Sequence, residues 1–144
     1  MADVSENVFE IEIATPQRLL AREKAIRAQI PAEDGYIGVL PDHASLISAL
    51  GVGAMTYTTP GDHRFSLAVG GGFLEIHNNV VRVLTDFAEK AQEIDVSAAE
   101  KDLKKAQDEM VNPALGIDIA AALIAVRHAQ ARIDAARKAA NKEE

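Results

Sequence analysis

The sequence has no cysteine among its 144 residues. A disulfide framework, a thiolate zinc site and a cysteine nucleophile are therefore excluded. The lack of disulfide bonds is typical of a reducing cytoplasm, which is the compartment we expect. Long hydrophobic runs are missing too, because nowhere do about 18 uncharged apolar residues follow one another, and the acidic N-terminus lacks the charged-then-apolar pattern of a leader. If the protein works at a membrane, we expect other subunits to hold it there.

Positive charge is scarce. The chain carries 15 Lys and Arg against 22 Asp and Glu, which gives a net charge of −7 at pH 7. This balance disfavours sequence-independent binding to nucleic acid or to anionic lipid, because both need a cationic surface. We therefore expect proteins or small molecules as partners, and no nucleic acid.

Signals for catalysis or metal binding are weak. No nucleophile–base pair and no paired carboxylates emerge from the sequence. The triplet Gly70-Gly71-Gly72 is not followed by the Lys-Ser/Thr and helix of a phosphate-binding loop, so we interpret it as a bulge or tight turn between strands. The four histidines are far apart and lack the spacing of a metal motif: His43, His63, His77 and His128. We predict no catalytic residue and no metal.

Composition divides the chain into two parts. The two tyrosines and four phenylalanines all precede position 88, as do eight of the nine glycines. The remainder is rich in alanine. We therefore predict one domain over residues 1–88 and a second over residues 89–144.

The first part has the pattern of β-structure. Phe9, Ile11 and Ile13 alternate with Glu10 and Glu12, which is the period of a strand with one buried face. Many short strands without crossover helices predict a β-sandwich or flattened barrel of about ten strands. Further strands are predicted at 26–30, 36–40, 45–50, 54–59, 64–69, 72–77 and 80–84, with turns at 60–62 and 77–79.

The second part has the pattern of two helices. Apolar residues recur every three or four positions from Val96 to Met110 and again from Ile119 to Ala136, on either side of Asn112-Pro113. This predicts an antiparallel two-helix hairpin. Because the apolar residues are mostly small, each helix buries little area, and we expect weak docking and a movable hairpin.

Two segments resemble a known family. The order D-G-Y-I-G-V-L-P-D-H-A-S-L-I from Asp34, and VGGGFLEIHNNVVRVLTDFAE from Val69 to Glu89, are similar to the signature of the epsilon subunit of bacterial F-type ATP synthases. The alanine-rich tail lies where that family carries a helical hairpin, so the resemblance runs nearly end to end.

The resemblance implies a non-catalytic rotor component of the central stalk. Its sandwich would sit on the gamma subunit and the c-ring, and would couple proton-driven ring rotation to the catalytic head for ATP synthesis. The implied location is peripheral, at the cytoplasmic face of the inner membrane. The alternative from another class is a free-standing β-sandwich ligand-binding module with a helical dimerisation arm.

The resemblance also implies an interface with gamma and the c-ring around the first signature segment. For His43 the alternative is a turn histidine that bonds to the backbone. The implied interface residues are Asp34, Tyr36, Pro41, Asp42 and His43.

Some members of the family bind ATP at an I/L-D-x-x-R-A motif with an upstream glutamate. The corresponding positions here are Glu89, Ile94 and Asp95, but Ala98 stands where the motif has arginine. An arginine–phosphate bond is worth about 1.5–3 kcal/mol, so its loss weakens binding by roughly 10- to 100-fold. We expect ATP binding to be weak at best, no other cofactor, and Asp95 to be a helix cap.

The last helix is basic within an acidic chain. In the family, such residues meet an acidic segment of the catalytic beta subunits when the hairpin extends into the alpha/beta head, where it inhibits ATP hydrolysis. The alternative is a solvated face with pairs such as Asp134 with Lys138. The residues of this basic face are Arg127, Arg132, Arg137 and Lys138, with His128 and Lys142 nearby.

Overall fold

The computed structural model describes residues 7–114 and 116–141, so that Lys142 lies outside the described residues. Within these residues, eight strands precede two helices. The strands are β1 (Phe9–Ala14), β2 (Leu19–Ala25), β3 (Arg27–Ala32), β4 (Gly35–Val39), β5 (Leu46–Ala49), β6 (Gly53–Thr59), β7 (His63–His77) and β8 (Val80–Lys90). A 3-10 turn at Ala91–Glu93 leads into helices α1 (Val96–Val111) and α2 (Ile119–Ala140).

The strands form one continuous sheet that folds over on itself. Their order is β2-β1-β8-β7-β6-β3-β4, with β5 beside β7. β7 pairs with β6 as far as Val69 and with β5 from Phe73 onward, so it passes from one layer to the other. The predicted β-sandwich followed by a helical hairpin is confirmed.

The glycine triplet is the point at which β7 changes layers. Gly71 and Gly72 have φ angles of 76° and 94°, a region that side chains rarely tolerate. A Cβ on Gly72 would also collide with the Leu84 carbonyl oxygen across the strand pair. The triplet is therefore a bend within one strand and not a turn between two, which is one reason why the sandwich has fewer strands than the ten predicted.

Two other elements differ from the sequence prediction. β2 was missed because charged residues interrupt its apolar pattern, although it pairs along the whole of β1. β8 continues to Lys90, which pairs with Leu67, so the last strand passes the predicted boundary at Ala88. The predicted turns at 60–62 and 77–79 are present, and Asn78 and Asn79 both adopt positive φ angles.

The core lies between the two layers. Phe9, Ile11 and Ile13 are fully buried, which confirms the alternation predicted for β1. Residues from the facing layer and from β7 and β8 complete the core: Ile30, Val39, Met55, Leu74, Ile76, Val81 and Val83.

The hairpin docks on the outer face of the layer that contains β6. Ala131 and Ala135 of α2 pack against Ala54 and Ala68 of the sheet. The Ser66 hydroxyl adds a hydrogen bond of 2.8 Å to the Ala135 carbonyl oxygen. Val52, Phe87 and Ile94 pack around this alanine cluster. Alanines bring the helix close to the sheet and each buries little apolar area, and weak docking of the hairpin stays a prediction.

We predict that Gly72→Ala destabilises the protein by at least about 2 kcal/mol, because the alanine must adopt a strained φ angle and displace backbone atoms. Denaturant unfolding measures this change. Gly38→Ala is the matched control, since a Cβ at Gly38 meets nothing within 4 Å. Equal unfolding midpoints for the two variants would contradict the assignment of the bend.

Candidate functional site

A partly buried ion pair connects the hairpin to the sandwich. Nε of Arg132 on α2 lies 2.7 Å from Oε1 of Glu89 on β8. Nη1 of the same guanidinium lies 3.5 Å from Oδ2 of Asp102 on α1. The Arg132 and Glu89 side chains are only 20% and 25% exposed, so solvent screens this pair less than a surface pair. One arginine thus holds three elements together.

An aromatic contact lies beside this ion pair. The His128 ring stacks on Phe87 with 4.6 Å between ring centroids and 10° between planes. Burial lowers the pKa of His128, because desolvation penalises the imidazolium. The two rings border a cavity of about 500 Å³ whose charged lining residues are Glu89, Asp102, Lys105, Glu109 and Arg132.

The three residues of the nucleotide motif have structural contacts in this docked hairpin. Glu89 accepts hydrogen bonds from Arg132. Asp95 caps α1, its carboxylate accepting from the Ala98 amide at 3.1 Å, as predicted. Ile94 packs against the alanine cluster between α2 and the sheet. Nucleotide binding by these residues stays a prediction.

The structure divides the predicted rotor-interface residues into two groups. Asp34 immediately precedes β4, whereas Pro41, Asp42 and His43 follow it. The five residues of β4 span about 17 Å, and this length of strand separates Asp34 from the other three. The second group forms a fixed loop. The Asp42 amide donates to Oδ1 of Asn79 at 2.8 Å, and Nδ1 of His43 donates to the Ala44 carbonyl oxygen at 2.7 Å. The His43 bond agrees with the turn-histidine alternative.

Tyr36 lies against the hairpin. Its hydroxyl oxygen accepts from the Ala54 amide at 3.2 Å, and Nζ of Lys138 lies 4.7 Å from its ring centroid. Burial raises the pKa of the Tyr36 hydroxyl. Sequence reasoning missed this contact, which joins residues about a hundred positions apart. The interface role of all five residues stays a prediction.

An apolar strip covers the outer face of the other layer, away from the hairpin. Ile47, Phe73 and Leu84 are 72%, 61% and 47% exposed. Strand register sets Ala49, Phe73, Leu84 and Ala14 side by side across four strands. Sequence reasoning missed this strip, although Phe73 and Leu84 are apolar at positions that alternate with buried ones. We call Ile47, Ala49, Phe73, Leu84 and Ala14 the apolar strip.

A ladder of paired charges borders the apolar strip. Arg22 lies 2.9 Å from Glu12, and Arg82 lies 3.2 Å from Glu75 and 3.9 Å from Glu12. Because these charges neutralise one another, the strip has the apolar centre and polar rim that are typical of a protein interface.

The predicted basic face of α2 is also divided. Arg132 and Lys138 contact the sandwich side, whereas Arg127 and Arg137 are exposed. The Asp134–Lys138 pair, an example given for the alternative of a solvated face, is not formed, because Asp134 contacts Gln130 at 2.9 Å and Arg137 at 3.8 Å instead. Two cations of the four therefore remain accessible to a partner in this docked arrangement.

Over residues 7–114 and 116–141, no three histidine or carboxylate side chains are placed to bind a metal together. Within the same ranges, neither helix combines the length and the apolar character needed to cross a membrane.

Comparison with known proteins identifies the family. The family model for the ATP synthase delta/epsilon chain β-sandwich domain matches residues 8–91. The ATP synthase epsilon chain of Solibacter usitatus is 48% identical over 132 residues, which are 92% of this chain and 98% of that protein. The chain belongs to the ATP synthase epsilon chain family. The epsilon chain of Moorella thermoacetica is 39% identical over 89% of this chain and 96% of its own length.

Solved structures agree with this fold of the epsilon family. A chain in a cryo-EM structure of the Euglena gracilis mitochondrial ATP synthase, which contains OSCP, F1 and the c-ring, has a TM-score of 0.77 and 21% sequence identity to this chain. The match covers 96% of this chain and 84% of the Euglena chain. A chain in a cryo-EM structure of the Tetrahymena thermophila mitochondrial ATP synthase central stalk and c-ring has a TM-score of 0.52 and 14% sequence identity to this chain. The match covers 90% of this chain and 94% of the Tetrahymena chain.

We predict that acid loosens the hairpin through His128. Its folded-state pKa lies below the unfolded value of about 6.5, so its contribution to stability is complete above that pH and is lost as pH falls below it. His128→Phe keeps the stacked ring without the proton, and we expect its melting temperature to fall less between pH 7.5 and pH 5 than that of the wild type. An equal fall would contradict the prediction.

Proposed function

We propose that this chain is the epsilon subunit in the central stalk of an F-type ATP synthase, seated on gamma and the c-ring. It couples proton-driven rotation of the ring to the catalytic head without itself catalysing a reaction. Other subunits hold it at the cytoplasmic face of the inner membrane. Near full-length similarity to epsilon chains supports this proposal and does not favour the free-standing ligand-binding module.

The apolar strip is the observation that carries the assignment of the gamma contact. It is the outer face of a layer that the hairpin leaves uncovered, and large apolar residues on such a face are typical of a buried interface. We propose that the apolar strip binds gamma, and that the loop with Pro41, Asp42 and His43 takes part in the same contact with the rotor. The strip adds to the residues implied by the sequence resemblance and does not replace them.

We predict that Phe73→Asp weakens binding to isolated gamma at least tenfold, because an unpaired carboxylate would be buried at the centre of the contact. Surface plasmon resonance with immobilised gamma measures the affinity. Ile124→Asp is the control, since Ile124 is 55% exposed on α2, and we expect no change. Wild-type affinity for Phe73→Asp would remove the strip from the gamma interface.

We also propose that the hairpin inhibits ATP hydrolysis when it leaves the sandwich. The alanine contact supports reversible docking, since among the described residues its buried centre consists of four alanines, Ala54, Ala68, Ala131 and Ala135. Arg127 and Arg137 are already exposed, and undocking adds Arg132 and Lys138 to the cations offered to an acidic surface of the alpha/beta head.

We predict that deleting the chain after Glu93 raises ATP hydrolysis by the assembled enzyme and leaves assembly intact. Arg127→Ala with Arg137→Ala should reproduce part of the rise, and more of it at low ionic strength, where charge attraction is less screened. Lys101→Ala with Lys104→Ala removes two exposed cations from α1 and serves as the control. If the deletion leaves the rate of ATP hydrolysis unchanged at every salt concentration, the proposal that the hairpin inhibits hydrolysis is wrong.

For nucleotide we propose weak binding at most. Ala98 supplies no guanidinium, Glu89 is occupied by Arg132, and Asp95 is occupied by the α1 amide that it caps. In the docked hairpin both carboxylates thus already accept hydrogen bonds from the protein, and Ala98 offers no side-chain donor to a phosphate.

We predict a dissociation constant for ATP in the millimolar range, equivalent to about −4 kcal/mol. Isothermal titration calorimetry on the isolated protein measures it. Ala98→Arg restores the motif and should tighten binding about tenfold or more. Micromolar affinity of the wild type would contradict the proposal.

A further inference from the structure

The side chain of Asn79, in the turn between β7 and β8, bridges two segments that are distant in sequence. Its Nδ2 donates to the Val8 carbonyl oxygen at 2.7 Å, and its Oδ1 accepts from the Asp42 amide at 2.8 Å. The Asn79 carbonyl oxygen accepts from the Glu10 amide at 3.1 Å. One half-buried residue thus ties the start of β1 to the loop that follows β4. We call residues 40–43 the 40–43 loop.

The geometry of the turn allows Asn79 to make this bridge. His77 and Val80 pair as neighbouring ends of the two strands, so Asn78 and Asn79 form a two-residue hairpin turn. Their φ angles are 49° and 62°, as in the primed turns that are typical of tight hairpins. Asparagine adopts positive φ more readily than most residues, because its short amide can hydrogen-bond locally. Asn79 therefore combines the backbone angle of the turn with an amide that reaches the neighbouring loop.

The 40–43 loop depends on support of this kind. Asp42 has a φ angle of 62°, a conformation that persists in residues other than glycine where surrounding contacts hold it. The bond to Asn79 holds the Asp42 amide in that conformation. Just beyond the loop, Oγ of Ser45 lies 3.1 Å from Nδ1 of His77. The end of the β7–β8 hairpin thus supports this segment at two points.

The 40–43 loop is continuous with the apolar strip. β5, which carries Ile47 and Ala49 of the strip, begins three residues after His43. Leu40, at the other end of the loop, is 62% exposed. An exposed apolar residue close to an apolar strip extends the surface that a protein partner can cover. The shape of this end of the surface depends on the loop conformation that Asn79 supports.

We propose that Asn79 is a positioning residue for the rotor contact, an inference that rests on the function proposed above. It holds the 40–43 loop in the conformation that meets the rotor, and it acts through the loop. A preformed loop binds more tightly, because the cost of ordering it is met before association. Loss of the Asn79 side chain lowers the population of the binding-competent loop, and the apparent affinity falls in proportion.

Two variants separate the side chain of Asn79 from the backbone of its turn. Asn79→Gly removes the amide and tolerates the positive φ, whereas Asn79→Asp keeps an oxygen that can accept from the Asp42 amide. By NMR on the full chain, we expect the exchange rate of the Asp42 amide to rise several-fold in Asn79→Gly and to change little in Asn79→Asp. Asn78→Gly, an exposed position in the same turn, is the matched control and should leave this rate unchanged. An unchanged rate in Asn79→Gly would overturn the proposal.

The affinity for an immobilised complex of gamma and the c-ring tests the positioning role itself. We expect Asn79→Gly to weaken binding about three- to tenfold, the net worth of one hydrogen bond. Asn79→Asp should retain most of the wild-type affinity at an ionic strength of about 0.15 M, where exposed charges are screened. Both affinities are measured well below the melting temperatures, because a purely structural role would lower the melting temperature without changing the affinity of the folded chain.

His43→Asp, a change within the 40–43 loop, distinguishes two results that would overturn the proposal. If His43→Asp weakens binding and Asn79→Gly does not, the loop contacts the rotor and the positioning role of Asn79 is wrong. If neither variant weakens binding, the loop lies outside the rotor contact, and the proposed contact of the loop is wrong as well.

Discussion

The passage of β7 from one layer to the other at Gly71 and Gly72 is the constraint on which the other features depend. Only glycine fits there, because both φ angles are positive and a Cβ on Gly72 would meet the opposite strand. Before the bend, β7 presents Ser66 and Ala68 to α2. After it, the same strand presents Phe73 on the outer face of the other layer. One strand therefore builds both outer faces.

The two faces suit different contacts. The hairpin face is small and partly polar, with an alanine centre, the Arg132–Glu89 pair and the His128–Phe87 stack around it. Such a contact suits the reversible docking that we propose, because its buried centre is made of alanines and its charged parts respond to salt and pH. The apolar strip has large side chains and a neutralised rim, and suits a permanent contact with a rotor partner.

Much of this fold could be predicted from local pattern. The alternation of Phe9, Ile11 and Ile13, the break at Asn112-Pro113 and the Asp95 cap each depend on neighbours in sequence. Contacts between residues that are far apart in sequence could not be predicted, because they depend on the register of the strands and on where the hairpin docks. Glu89 meets Arg132 and Tyr36 meets Lys138 only once the hairpin is docked. The exposure of Phe73 likewise depends on which layer β7 has joined.

Hydrogen exchange of the chain with and without gamma tests the division into two faces most directly. We expect slower exchange on binding at residues 46–49, 72–76 and 82–85, which carry the apolar strip. We expect little change in exchange at residues 54–58 and 131–138, where the hairpin lies on the sheet. Protection of the hairpin face instead, with the strip unchanged, would contradict the central claim that the two outer faces have separate partners.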